Sequence, residues 1–247
     1  PDVKAYRVED ADGSFLGVLF ADFFPREGKK GGAWMTDYRG EHADIPTSQP
    51  VNNANSVRPV VSLTTNYSKP TADTPSLLTF SEVETLLHEF GHTLHGLFAM
   101  SHYEALSGTN VFWDFVELPS QIDEHWAMEP ELLKTYAKHY KTGEVIPDEL
   151  IKKLDASAKF NQGFAATELV GAALLDIEWH KLDYKQPVDV KAFEAEVAKK
   201  LGKPEEVQFR YRSPYFKHIF GSTQYACGYY TYLWAEVLDA DGFELFK

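Results

Sequence analysis

The pattern of hydrophobic and polar positions divides the chain into a beginning that predicts strands and a remainder that predicts helices. Short apolar or β-branched runs bounded by turn residues lie at positions 3–8, 15–24, 33–35 and 59–65. Runs of this length and composition predict β-strands, and the turn residues between the first two predict a hairpin. The polar segments 37–56 and 66–78 contain several Pro and Asn residues and are predicted to be loops.

From residue 79 onward, apolar positions recur at helical spacing. The first stripe consists of Val83, Leu86, Leu87, Phe90, Leu94 and Leu97. Two overlapping capping boxes precede it, one from Thr79 to Glu82 and one from Ser81 to Glu84, and the pattern leaves both open. Further helices are predicted near 116–141, with a bend at Pro130, and at 147–160, 163–183, 189–201 and 225–239.

Together these patterns predict an α+β fold, mainly α with a small antiparallel β-sheet. No repeat, low-complexity tract or linker interrupts the chain. We therefore expect one domain over residues 1–247, with a small β-rich part at 1–66 and a helical part at 79–247. A hydrophobic fraction of 44% in 247 residues is enough for a sizeable core.

Composition excludes several classes of protein. The formal net charge of -13 argues against a nucleic-acid partner, because phosphate binding requires clustered Lys and Arg. No apolar run approaches the ~20 residues of a membrane helix, so no membrane partner is expected. The single cysteine, Cys227, excludes an internal disulfide and suits a reducing compartment, so we expect the cytoplasm, with the periplasm as the alternative.

Because the sequence begins without Met and ends just after an apolar run, we also expect a fragment of a longer protein.

The strongest chemical motif lies on the first predicted helix, where residues 88–92 read HEFGH. His88 and His92 are one helical turn apart on one face, where two imidazoles can bind a zinc ion at ~2.0–2.1 Å. Glu89 lies beside them, close enough to accept a proton from an attacking water without binding the metal. A chance match on a buried helix is the alternative. Ionisable side chains in an apolar stripe are costly, however, unless they are paired or bind a metal.

A catalytic zinc ion needs a third protein ligand and one open position. His95 lies ~10 Å along the helix axis from His88, at ~1.5 Å per residue, so we expect it to pack rather than to bind. His102 lacks the spacing of the third metzincin histidine. Glu117, within DFVELPSQ at 114–121, can complete a His₂Glu site from a second helix. On its own, Glu117 is one acidic residue among many.

Four separated motifs together resemble the thimet-oligopeptidase family of zinc peptidases: HEFGHTLHGL at 88–97, SGTN at 107–110, DFVELPSQ at 114–121 and GYYTYLW at 228–234. The resemblance extends to FFPREGKKGGAWM at 23–35 and so covers nearly the whole chain. SGTN, GGAWM and SQIDEHWA at 120–127 look most like bacterial peptidyl-dipeptidases, which remove dipeptides from peptide C-termini. The oligopeptidase branch, which cuts within short peptides, is the alternative.

The resemblance implies a zincin-like catalytic domain that binds one zinc ion per chain through His88, His92 and Glu117, with Glu89 as the general base. It also implies that short peptides are the substrates and that an N-terminal domain of the longer protein packs on this part. On that basis we expect the isolated chain to bind zinc but to cleave peptides poorly. A non-catalytic peptide-binding relative and a helical scaffold with a structural HExxH are the remaining alternatives. The intact Glu89 argues against the first of these.

Tyrosines near the C-terminal end of the family's catalytic part donate hydrogen bonds to the substrate carbonyl and the oxyanion. Tyr225, Tyr229 and Tyr232 fall at spacings that predict one shared helix face. Tyr232 is predicted to bind the oxyanion with support from Tyr225, while ordinary aromatic packing is the alternative. His218 resembles a histidine that contacts substrate in relatives, although the loop from His218 to Tyr225 is slightly longer than in the family.

Several other residues have more than one interpretation. Asp114, one turn before Glu117, could orient an imidazole or could be a solvated carboxylate. Arg210 and Arg212 are candidates for binding a free C-terminal carboxylate. The predicted strand at 59–65 could offer its edge to an extended substrate. The histidines expected to be surface or core residues are His125, His139 and His180.

Overall fold

The computed structural model describes residues 2–247, in which a four-stranded sheet precedes a set of helices. The strands are β1 (Val3–Glu9), β2 (Phe15–Asp22), β3 (Trp34–Arg39) and β4 (Val60–Thr64). Their order in the sheet is β1-β2-β4-β3. All four predicted strands are present, and β3 extends into a segment that was predicted to be a loop.

The prediction of a wholly antiparallel sheet is wrong in one pairing. β1 pairs with β2 and β3 pairs with β4 in the antiparallel sense, whereas β2 and β4 are parallel. The chain between β2 and β4 includes β3 and is long enough for the crossover that a parallel pair requires. β4 therefore has a hydrogen-bonded neighbour on each side, so the prediction that its edge could receive a substrate is also wrong.

Eight α-helices lie in the described part of the chain and confirm the predicted fold class, mainly α with a small sheet. They are α1 (Phe80–Leu97), α2 (Leu118–His125), α3 (Pro130–Tyr136), α4 (Asp148–Ala158), α5 (Gln162–His180), α6 (Val190–Lys200), α7 (Lys217–Phe220) and α8 (Thr231–Phe243). The helix predicted at 116–141 is two short helices, because Pro130 begins α3 in the first turn, where its missing N–H is tolerated. Among the described residues, no helix combines the length and the apolar character needed to span a membrane.

The last predicted helix begins at Thr231 instead of residue 225. Cys227 has a φ angle of 58°, which lies in the left-handed region and does not continue a right-handed helix. The backbone N–H groups of Cys227 and Tyr229 bind the carboxylate of Asp176. Tyr225 and Tyr229 therefore precede α8, and the prediction that they share one helix face with Tyr232 is wrong.

Both ends of α1 are fixed by side chains. The Thr79 hydroxyl accepts a hydrogen bond from the Glu82 N–H at 3.3 Å, and the Glu82 carboxylate accepts one from the Thr79 N–H at 2.8 Å. The first of the two capping boxes is thus the one that forms. At the other end, the buried Arg58 guanidinium donates to the Leu97 carbonyl and lies 3.8 Å from the buried Glu41 carboxylate. A cation at a helix C-terminus stabilises the exposed carbonyls.

The chain forms two compact units. Unit 1 comprises the described residues up to Phe112 together with Val116–Ile146 and Leu238–Lys247, and it contains the sheet, α1, α2 and α3. Unit 2 comprises Trp113–Phe115 and Pro147–Val237, and it contains α4 to α7 with the first part of α8. The core of unit 2 is built around Leu175, Trp179 and Phe216. That residues 1–247 act as one domain stays a prediction.

Candidate active site

Three side chains predicted to bind a metal converge in unit 1. His88 and His92 project from one face of α1, and their ring centroids are 4.9 Å apart. Their Nε2 atoms lie 3.2 Å and 3.1 Å, respectively, from a single carboxylate oxygen, Oε2 of Glu117. Candidate donor atoms of the three residues all lie within 4.8 Å of one another.

Close packing of two helices brings Glu117 to the histidines. Glu117 is the N-cap residue of α2, and Pro119 follows in the first turn. Gly91 faces this turn from α1, and a Cβ atom there would lie 2.6 Å from the Cα atom of Ser120. Only glycine allows the two backbones to approach so closely. The Ser120 hydroxyl donates to the Glu117 carbonyl at 2.8 Å and to Oε2 at 3.3 Å, which helps to hold the carboxylate in place.

The cluster sets a buried carboxylate against two imidazoles. Burial would raise the pKa of Glu117, but hydrogen bonds to His88 and His92 hold this pKa well below its usual range. Burial would likewise lower the pKa of His88, but hydrogen bonds to Glu117 and Glu124 outweigh it and raise this pKa to about 10. The Glu117 carboxylate therefore favours a positive charge in the space between it and the two imidazole rings. Two nitrogen donors and one oxygen donor suit zinc and leave one position open, so the residues fit the predicted ion.

Glu89 is buried next to His88 on α1, with 5% of its surface exposed. Burial raises the pKa of its carboxyl group. Within the described residues, its Oε2 atom has no hydrogen-bond partner. A carboxylate with a raised pKa accepts a proton more readily near neutral pH. This environment is compatible with a general base, and the role itself stays a prediction.

Glu124 is a residue of this cluster that was not predicted. Its Oε1 atom lies 2.6 Å from Nδ1 of His88, the ring nitrogen that faces away from Glu117. Metal-binding histidines usually donate their second N–H to such a carboxylate. The sequence spacing could have pointed to Glu124, because Glu117 and Glu124 are about two helical turns apart and share one face of α2. Asp114, the residue considered for this role, lies in a 3₁₀ helix of unit 2, where the Tyr230 hydroxyl donates to it at 3.5 Å.

The three predicted substrate-binding residues lie together in unit 2. The hydroxyl of Tyr232 donates to that of Tyr225 at 3.0 Å, and the two rings are stacked 5.9 Å apart at an interplanar angle of 7°. The ring of His218 lies 5.4 Å from Tyr225 and 6.5 Å from Tyr232. Tyr229 is buried in the same aromatic cluster, which agrees with the packing interpretation for that residue.

The remaining candidates have structural partners. The Arg212 guanidinium lies 3.0 Å from the Glu194 carboxylate, and that of Arg210 lies over the ring of Tyr211. His102 lies 2.9 Å from the Gln49 carbonyl. The partners of the other histidines are Asp239 for His125, Thr142 for His139 and Asp176 for His180, while burial lowers the pKa of His95.

A comparison of the whole sequence with known protein families gives a clear result. The model of the family described as peptidase family M3 matches residues 1–247. The chain belongs to peptidase family M3. The resemblance inferred from the four motifs is thereby confirmed.

Curated relatives of this M3 chain include two kinds of peptidase. Dipeptidyl carboxypeptidase of Escherichia coli K12 is 46% identical over 249 residues. Organellar oligopeptidase A of Arabidopsis thaliana is 38% identical over 259 residues, and oligopeptidase A of Escherichia coli K12 is 36% identical over 250 residues. Each alignment covers 100% of this chain but only 35%, 31% and 35%, respectively, of the relative. The chain thus spans about a third of the length of these M3 peptidases.

Proposed function

We propose that the protein carrying this chain is a zinc metallopeptidase that hydrolyses peptide bonds in short peptides. The observation that carries the proposal is the convergence of the His88 and His92 Nε2 atoms on Oε2 of Glu117. These three residues would hold one zinc ion per chain. A His₂Glu ligand set with an open position is found in catalytic zinc sites of metallopeptidases.

The proposed mechanism assigns a separate task to each side chain. A zinc ion in this site would polarise the substrate carbonyl and lower the pKa of water. Glu89 accepts the proton of the attacking water, since burial favours its protonated form. Tyr232, supported by Tyr225, donates from its phenol to the oxyanion that develops on the scissile carbonyl. His218 contacts the substrate. The tasks of the tyrosines and of His218 rest on the family resemblance.

Release of dipeptides from peptide C-termini is the specific activity that we propose. It is supported by the 46% identity to a protein named dipeptidyl carboxypeptidase. Cleavage within short peptides is the second candidate, supported by relatives named oligopeptidase A at 36% and 38% identity. A non-catalytic peptide-binding role is disfavoured because it needs no base at Glu89.

Two further proposals concern the surroundings of the chain. We propose that an N-terminal domain of a longer protein packs on it, because it spans 35% of the length of the Escherichia coli dipeptidyl carboxypeptidase. We propose the cytoplasm as the compartment, with the periplasm as the alternative. The single cysteine supports this, because a chain that forms no internal disulfide suits a reducing compartment.

The substitution Glu89→Gln tests the proposed activity. Because Gln cannot accept the proton, we expect kcat to fall by ~10²–10⁴-fold, while zinc remains bound at one ion per chain. The measurements are dipeptide release from a peptide with a free C-terminus, followed by mass spectrometry, and zinc content by elemental analysis. Glu131→Gln, an exposed carboxylate at the start of α3, is the control and should match the unaltered protein. Undiminished hydrolysis by Glu89→Gln would rule out Glu89 as the base.

The same peptide with an amidated C-terminus distinguishes the two candidate activities. An enzyme that releases C-terminal dipeptides recognises the free carboxylate, so amidation should abolish release. Equal cleavage of both peptides at internal bonds would instead favour the oligopeptidase activity.

A further inference from the structure

The Tyr225 and Tyr232 hydroxyls meet although the two residues do not lie on one helix. α8 begins at Thr231, and Tyr225 lies in the turn that precedes it. Helical periodicity therefore does not bring the two phenols to 3.0 Å. Another feature of unit 2 must set the path of residues 225–231.

The carboxylate of Asp176 holds this turn. Asp176 lies on α5 and is 0% exposed. One of its oxygens, Oδ1, accepts the N–H of Cys227 at 3.0 Å, and the other, Oδ2, accepts the N–H of Tyr229 at 3.0 Å. Nδ1 of His180, one turn later on α5, lies 2.8 Å from Oδ1. Because both oxygens of this buried carboxylate accept backbone N–H groups, the contact is well suited to fix the backbone.

The backbone at the centre of the turn needs such support. Cys227 has a φ angle of 58°, and a residue with a Cβ atom adopts this left-handed conformation only at a cost. The Asp176 carboxylate binds the N–H of Cys227 itself and that of Tyr229, two residues later. A single buried side chain thus stabilises a conformation that the local sequence does not favour.

Trp113 also contacts this segment. The Thr231 hydroxyl donates to the Trp113 carbonyl at 2.8 Å. A Cβ atom on Gly228 would lie 2.8 Å from Cδ1 of Trp113, so the indole fits closely against the turn. The indole also packs edge-on against the ring of Tyr225, with ring centroids 4.4 Å apart. Asp176 and Trp113 thus both hold the turn, which begins with Tyr225, and Tyr232 lies in the first turn of α8 that follows it.

We propose that Asp176 is a positioning residue. It fixes the backbone of the turn at residues 225–230 and so keeps the hydroxyls of Tyr225 and Tyr232 close together. This inference rests on the proposed function, in which those hydroxyls bind the oxyanion. Asp176 touches no substrate. It acts through the backbone of Cys227 and Tyr229.

The substitution Asp176→Asn tests the contact with the turn. An amide keeps the shape of the carboxylate but presents an NH₂ group to one of the two N–H donors. We expect hydrogen exchange in a peptide that covers residues 225–230 to accelerate by at least about tenfold, which corresponds to ~1.4 kcal/mol. Exchange in α6 serves as the internal reference and should not change. Asp183→Asn, an exposed carboxylate just after α5, is the matched control. Unchanged exchange in the 225–230 peptide would overturn the proposal.

Kinetics on the complete protein test the positioning role. For Asp176→Asn we expect kcat to fall by about tenfold or more with KM nearly unchanged, because an interaction with the oxyanion is made in the transition state. Zinc content should remain at one ion per chain. Faster exchange with an unchanged kcat would show that Asp176 holds the turn without positioning the tyrosines, and would overturn the proposal.

A second substitution separates positioning from a general loss of structure. Glycine adopts a positive φ without cost, so Cys227→Gly should make the turn less dependent on Asp176. We expect the double variant Asp176→Asn, Cys227→Gly to recover a large part of the lost kcat. If kcat of the double variant is as low as that of Asp176→Asn alone, Asp176 does not act through the backbone of the turn, and the proposal is contradicted. If the unaltered complete protein hydrolyses no peptide, the proposed function fails and the positioning role fails with it. The exchange experiment would still decide whether Asp176 holds the turn.

Discussion

At the scale of single residues, His88 differs from His92 in having a carboxylate at each ring nitrogen. Its Nε2 atom lies against Glu117 and its Nδ1 atom against Glu124. The Nδ1 atom of His92 has no hydrogen-bond partner in the part of the chain that the structure describes. A carboxylate on the second nitrogen fixes the ring and raises its basicity. Glu124 is therefore placed to fix the His88 ring, and its effect on the proposed zinc site can be measured.

The substitution Glu124→Gln should weaken zinc binding without abolishing it. The amide cannot supply the negative charge, so we expect the dissociation constant for zinc to rise by ~10–100-fold. At saturating zinc the content should remain at one ion per chain. Competition with a chelator of known affinity measures the constant, and Glu131→Gln serves as the control on an exposed carboxylate. An unchanged constant would show that Glu124 does not support His88.

Asp123 predicts a pH dependence of stability. Burial raises the pKa of its carboxyl group to about 6, whereas the same group in the unfolded chain titrates near 3.8. The folded state therefore binds this proton more tightly, and the contribution of Asp123 to stability falls as pH rises from about 4 to about 6. Asp123→Asn removes this loss. We expect the variant to be more stable than the unaltered chain at pH 7, with a smaller difference at pH 4.

Denaturant unfolding at the two pH values measures this effect, with EDTA present so that zinc does not contribute. Glu131→Gln should show no comparable change between the two pH values. An Asp123→Asn variant that is equally stable or less stable than the unaltered chain at pH 7 would contradict the prediction.

Site residues that belong to a sequence motif could be predicted, whereas residues whose partners are brought near only by the fold could not. His88 and His92 follow from helical geometry, and Glu117 follows from the family motif. Glu124 was missed because an acidic residue on a short helix usually faces water, and its contact depends on how α2 packs on α1. Asp176 was missed because its partners are backbone N–H groups far along the chain.

At the scale of helices and strands, the distance between α1 and α2 determines whether Glu117 reaches the histidines. Gly91 lies at the closest approach, opposite Ser120. A methyl group there would meet backbone atoms, which cannot move as the end of a flexible side chain can. The pair of helices would have to separate.

The substitution Gly91→Ala should therefore affect stability and metal binding together. Overpacking of this kind costs ~1–3 kcal/mol in the free energy of unfolding, and the displacement of Glu117 should weaken zinc binding. Denaturant unfolding and a zinc titration measure the two effects. Gly163→Ala on α5 is the matched control, because a Cβ atom there has no neighbour within 4 Å. It should leave zinc binding unchanged and should be neutral or stabilising by up to ~1 kcal/mol. Tight zinc binding by Gly91→Ala would contradict this account of the α1–α2 contact.

The existence and type of most helices and strands could be read from periodicity, whereas their arrangement could not. The capping box of Thr79 and Glu82 predicted the start of α1 because it is a local interaction. The position of β4 between β2 and β3 depends on a long connection that leaves no pattern in the sequence. The late start of α8 depends on Asp176, which is distant in the sequence from the turn it holds.

At the scale of the whole molecule, membership of peptidase family M3 extends over all 247 residues. The metal-binding candidates belong to unit 1, and Tyr225, Tyr232 and His218 belong to unit 2. The proposed function requires that the fold assembles one zinc site from His88, His92 and Glu117.

The decisive measurement is zinc content per chain, determined by elemental analysis on the unaltered protein, Glu117→Ala and Asp114→Ala. Circular dichroism establishes that each variant is folded. We predict one zinc ion per chain in the unaltered protein and in Asp114→Ala, and sharply depleted zinc in Glu117→Ala. Equal zinc in all three would show that Glu117 is not a ligand, and zinc in none of them would contradict the metal site itself.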